Sequence, residues 1–142
     1  MIQTFEIPLR LPTMNAMVAA NRRSPYAGAG LKKKADADVC WWIKAAGLAP
    51  ITNPCIVQMI FTEPDKRRDV DNVESAKKFV LDALVKSGVL QGDSPKYVPY
   101  SPSFTEYGEG AKVTVVIRDD ANIDVLRRIM HRAATCITEG IG

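Results

Sequence analysis

The chain has 142 residues, of which 46% are hydrophobic and 25% charged, and carries a formal net charge of +3. That length fits one domain spanning residues 1–142 and burying roughly 70% of its unfolded surface, and the composition excludes a disordered or fibrous chain. No run approaches the ~18 apolar residues of a membrane span, and the opening MIQTFEIPLRLP lacks a basic stretch followed by an apolar one, so a cytoplasmic protein is expected.

Residues 2–11 alternate as a strand does, with Phe5, Ile7 and Leu9 on one side, and should end near Pro12. Residues 12–30 carry Pro12, Asn15, Asn21, Ser24, Pro25, Gly28 and Gly30 without a sustained period and read as a long loop. From Leu31, the positions Leu31, Ala35, Val39, Trp42 and Ala46 recur at helical spacing, and Gly47 is placed to end the helix in a left-handed cap. Cys55–Phe61 is a β-rich apolar run suited to a central strand. A second helix is expected from Asn72 to Ser87, with the stripe Val73, Ala76, Val80 and Leu84 and with Gly88 as its stop.

Beyond a turn at 92–95, residues 97–107 read as an edge strand because of Pro99 and Pro102, and 112–118 as a firmer strand. Gly108–Gly110 looks like a hairpin link between the two. A last helix should cover 121–138, with Ile123, Leu126, Met130, Ala133 and Ile137 on one stripe. The expected fold is α+β, a small mixed β-sheet packed with helices in the order β-α-β-α-β-β-α. Cys40, Cys55 and Cys136 are widely spaced in apolar surroundings and read as reduced, buried thiols, not zinc ligands.

The chemistry concentrates in residues 66–98, KRRDVDNVESAKKFVLDALVKSGVLQGDSPKYV. Asp69 and Asp71 lie two apart, so in an extended segment both carboxylates point to one side, and such a pair can bind Mg²⁺ together with waters and a substrate phosphate. Each acid also has an ordinary explanation. Asp71 with Glu74 resembles a capping box, Asp69 could pair with Arg67 or Arg68, and Asp93 sits in a turn-like GDSP. A net charge of +3 does not by itself indicate a polyanion partner, but basic residues cluster at Arg22–Arg23, Lys32–Lys34, Lys66–Arg68 and Arg127–Arg132, and clustering matters more than the total. The only histidine, His131, lies on the last expected helix and reads as a surface residue.

RRDVDN, the LDAL of residues 81–84 and SGVLQGDSPKYV occur in the order and spacing of the RusA family of Holliday junction resolvases, which this segment resembles, and PLRLPTMNA (8–16) is similar to the end of that family's first strand. The resemblance implies a crossover junction endodeoxyribonuclease of recombination and repair that nicks paired DNA strands, depends on Mg²⁺, and acts as a homodimer on four-way junctions in a bacterial cell or a phage-infected host. It implies Asp69, Asp71 and Asp93 as metal ligands, Asn72 as the residue ordering the helix start, and a helix lysine near the scissile phosphate, Lys78 in preference to Lys77. Arg22, Arg23, Lys32, Lys33, Arg67 and Arg68 are then the expected DNA contacts. One departure is that Gly92–Asp93 stands where relatives often carry two adjacent acids. Two other readings stand beside this one: a nuclease for flaps or forks, and a nucleic-acid-binding module without catalysis.

Overall fold

The computed structural model describes residues 1–119, 124, 125, 127–129, 131–133 and 135. Its elements are β1 (Ile2–Ile7), α1 (Met14–Arg23), α2 (Pro25–Ala46), β2 (Ile56–Glu63), α3 (Val70–Glu74), α4 (Lys77–Lys86), β3 (Ser103–Tyr107) and β4 (Lys112–Arg118). The fold is α+β, with a four-stranded mixed sheet in the order β1-β4-β2-β3. β4 runs antiparallel to both β1 and β2, and β3 lies parallel to β2 at the edge. The parallel pair is joined through α3 and α4, the helical crossover that parallel strands require.

Alternation decides which face of the sheet is covered. Phe5 and Ile7, Val57, Met59 and Phe61, and Val113, Val115 and Ile117 are buried together with Val39 and Ile43 of α2 and Val80 and Leu84 of α4. Each such side chain contributes roughly 1.5–3 kcal/mol of apolar burial. Gly47 (φ 63°) and Gly88 (φ 77°) take the left-handed conformation at the ends of α2 and α4, as their positions after the apolar stripes imply. Cys55 is fully buried and Cys40 half-buried, and neither is in a disulfide; Cys136 lies outside the described residues. No described helix is long and apolar enough to cross a membrane.

Several elements differ from expectation. The first strand stops at Ile7, where Pro8 begins the exit. Residues 12–30 are not a loop. Thr13 caps α1 by accepting the Ala16 N–H at 3.2 Å, and Ser24 both ends α1 and caps α2, accepting the Ala27 N–H at 3.0 Å with Pro25 in the first turn. The helix expected over 72–87 is two helices meeting at Ser75–Ala76, where the Ala76 N–H donates to Val73 O and the Phe79 N–H to Ala76 O, three residues back instead of four. Gly108–Gly110 is not a hairpin turn, because β3 and β4 lie on opposite sides of β2. The link steps across the end of β2, held by the Gly108 N–H on Glu63 O at 3.0 Å.

The strand expected over 97–107 is regular only from Ser103, although Tyr100 bridges to Ile56 before it. The last expected helix, 121–138, lies largely outside the described residues; those described between 124 and 135 are helical and exposed.

Candidate functional site

The end of β2 organises the site. Glu63, the last strand residue, follows Val57, Met59 and Phe61 on the covered face and is buried, with 4% of its surface exposed. A buried carboxylate requires partners. Arg10, leaving β1, donates to Glu63 Oε1 from Nε (3.3 Å) and Nη2 (3.2 Å), and Arg68 Nη1 stands 3.9 Å from the same oxygen. Arg68 Nη1 also donates to Leu11 O at 3.1 Å. Asp65 receives the Arg67 N–H at 3.0 Å and Arg10 Nη2 at 3.5 Å, and the Arg67 N–H, aided by Arg10, holds its carboxyl below the usual carboxylate range. The hydrogen bond to Glu63 raises the Arg10 guanidinium above its ordinary value. The exits of β1 and β2 and the approach to α3 are thereby tied together one residue before Asp69.

Asp69 is the extended N-cap residue of α3 (φ −64°, ψ 145°), yet its side chain makes no capping hydrogen bond. Asp71 lies inside the first turn of α3, and both acids are exposed. Their ordinary explanations are therefore unfilled. Asp71 is not a cap, Arg68 is engaged with Glu63 and Leu11, and among the described residues no ion pair joins the exposed Arg67 guanidinium to either acid. The two-residue period of an extended chain does not orient this pair, because Asp71 is already helical; what the two share is the entry of one short helix.

Asn72 bonds outward. Its Oδ1 accepts the Asn15 N–H at 3.1 Å, and Ser75 Oγ accepts the Met14 N–H at 3.0 Å. With Thr13 serving Ala16, the first three N–H groups of α1 are each satisfied by a side chain. Asn72 thus orders a helix start, that of α1 and not of its own helix. Glu74 accepts the Thr105 hydroxyl at 3.2 Å, fastening α3 to β3.

Other expected site residues lie apart from this entry. Asp93 is exposed in the segment after α4, close to Tyr97, whose carbonyl accepts the Cys55 N–H at the opposite end of β2. About 20 Å of strand separates the two ends. Among the described residues no three Asp, Glu, His or Cys side chains gather to hold a metal ion. Lys78 is exposed and pairs with Asp82 at 3.5 Å, whereas Lys77 Nζ donates to Ser101 O. The break at Ser75–Ala76 removes the continuous helical phase expected to carry Lys78 to the face of Asp71.

Among the expected DNA contacts, Arg22 and Arg23 occupy the last turn of α1, Lys32 and Lys33 are exposed on α2, and Arg67 is exposed. Arg68 is half-buried and bonded to Leu11 and Glu63. Sequence reasoning passed over Arg10, Glu63 and Asp65. The available signal was the phase of Glu63, in step with Val57, Met59 and Phe61 on the covered side of the strand.

Neither a family model nor a curated protein sequence matches the chain.

Proposed function

We propose that this chain is a magnesium-dependent endonuclease that cuts branched DNA, of the Holliday-junction-resolvase type implied by the RusA resemblance, acting as a homodimer in the cytoplasm. The observation that carries the reading is the pair Asp69 and Asp71, two exposed carboxylates left uncommitted at the entry of a helix that neighbouring side chains hold in place. Mg²⁺ is commonly held by one or two carboxylates plus waters and substrate phosphate, and the pair fits that donor set. When bound, the ion supplies charge neutralisation at the phosphorus and activation of the attacking water.

The chain's own residues do the rest. Arg68, fixed on Glu63 and Leu11 O, sets the path of the backbone into Asp69. Lys78, exposed in the first turn of α4 and paired there with Asp82, is the lysine that the resemblance assigns to offsetting charge on the scissile phosphate, a role that requires it to leave Asp82 when DNA binds. Arg22, Arg23, Lys32, Lys33 and Arg67 offer exposed cations to the DNA backbone. Asp93, at the far end of β2, completes the set only when a second copy presents it. A two-fold dimer suits a four-way junction with two symmetric cut sites.

The test is cleavage of a panel of synthetic DNAs with Mg²⁺, with Mn²⁺ and with EDTA. Metal-dependent paired nicks in a four-way junction support the reading. Preference for flaps or forks moves the substrate within the branched-DNA class, and binding without any cleavage leaves only a nucleic-acid-binding module.

A further inference from the structure

We infer that the α1–α2 hairpin is an arm that grips DNA at its branch point, with Tyr26 at its tip stacking on an unpaired base. The inference rests on the branched-DNA reading above and assigns that substrate a contact at the hairpin tip.

Charge and shape both single out this arm. Residues 14–34 contain Arg22, Arg23, Lys32, Lys33 and Lys34 and no Asp or Glu. Lys34 is paired with Asp38 at 3.2 Å, while the other four are exposed. Favourable interaction with a helix C-terminus accounts for Arg22 and Arg23 but not for Lys32 and Lys33, which lie within α2. The two helices fold back on each other across Ser24. Gly28 lies so close to Asn21 that a Cβ would collide with the Asn21 side chain, and Lys32 shares a groove with Met17. Apart from Gly28, the buried residues of α2 begin at Ala35, so its first ten residues serve the arm and not the core.

Tyr26 sits at the turn of this hairpin with 88% of its surface exposed, beside Pro25 and three and four residues from Arg23 and Arg22. An aromatic ring among cations is the arrangement that binds single-stranded nucleic acid, the ring stacking on a base while the cations hold phosphates. Bases inside a duplex are already stacked on both faces, so the free face Tyr26 needs occurs where strands part. The root of the arm is fixed to α3 through Asn15–Asn72 and Met14–Ser75. α1 has 10 residues, so the tip stands about 15 Å from the helix bearing Asp71, roughly four nucleotides of strand.

The experiment measures binding in EDTA, where no cleavage interferes, by titrating the full-length protein against a four-way junction carrying 2-aminopurine at the branch and against a linear duplex of the same arm sequence. Tyr26→Ala is expected to weaken junction binding roughly tenfold or more and to abolish the 2-aminopurine signal, with duplex binding changed less than twofold. Tyr26→Phe, which keeps the ring, should behave as wild type. Unchanged junction affinity in Tyr26→Ala, or an equal loss on both DNAs, overturns the inference while leaving the nuclease reading in place. A change in sedimentation with DNA binding intact also overturns it, by making Tyr26 a protein contact. A wild-type protein that binds neither DNA overturns both.

Discussion

Asn72 Oδ1 accepts the backbone N–H of Asn15 at 3.1 Å, joining the entry of α3 to the entry of α1 across 57 residues of sequence. The helix that bears Asp71 and the helix that bears Arg22 and Arg23 therefore share a junction. Asn72→Ala removes the side-chain acceptor and leaves the exposed Asn15 N–H in the first turn of α1 to water. The expected loss is about 1–2 kcal/mol in urea denaturation, and Asn72→Asp, which keeps an acceptor, should recover most of it.

Glu63 is the buried charge on which the site's scaffold converges. Glu63→Ala leaves the partly exposed Arg10 and Arg68 guanidiniums without their shared carboxylate, and the expected destabilisation, that of losing charge-assisted hydrogen bonds, is about 2 kcal/mol. Because Arg10 and Glu63 interact directly, the double variant Arg10→Ala/Glu63→Ala should lose less than the sum of the single losses. A loss under about 0.5 kcal/mol for Glu63→Ala would mean that this cluster does not hold the strand ends together.

Burial pushes the Cys55 thiol from an ordinary 9.0 up to about 11, with the charge of Asp119 adding to the shift. Between those values the unfolded chain has released the proton and the folded chain keeps it, so stability falls as pH rises. The contribution is fully present below about pH 9 and is lost towards pH 11, a change on the order of 2 kcal/mol. Wild type should thus lose more stability than Cys55→Ala between pH 8 and pH 10.5 in urea titrations. Equal losses would contradict the assignment.

What the sequence revealed follows from how local each signal is. Strand alternation at β1 and β4, the apolar run of β2 and the glycines closing α2 and α4 are properties of short windows, and these elements exist where the patterns put them, although β1 ends at Ile7 and α2 begins at Pro25, earlier in each case than the patterns implied. α1 escaped notice because Pro12, Asn15, Asn21 and Pro25 read as breakers. In the fold, Thr13 and the Ser24–Pro25 pair are N-terminal helix signals. The kink at Ser75–Ala76 and the stepping of β3 over β2 depend on tertiary packing that no window contains. At the site, Asp69 and Asp71 were legible as acids where a strand gives way to a helix. Their orientation was not, because it depends on where α3 starts, and the distance to Asp93 depends on the run of α4 back along the sheet.

That distance makes the role of Asp93 testable. Asp71→Asn and Asp93→Asn should each be inactive alone. If Asp93 serves the pair of a second copy, a mixed dimer of the two variants contains one site with both lesions and one intact site, so mixing after co-refolding should restore single-strand nicking. If the ligands came from one chain, every site in the mixture would carry a lesion and no nicking would return.

The central claim, that Asp69 and Asp71 hold a catalytic metal ion, is tested most directly by Asp71→Asn on a four-way junction with Mg²⁺. The expected result is cleavage reduced by at least about 100-fold, corresponding to about 2.7 kcal/mol of barrier, with junction binding within a few-fold of wild type. Cleavage at the wild-type rate by a folded Asp71→Asn protein would contradict the account.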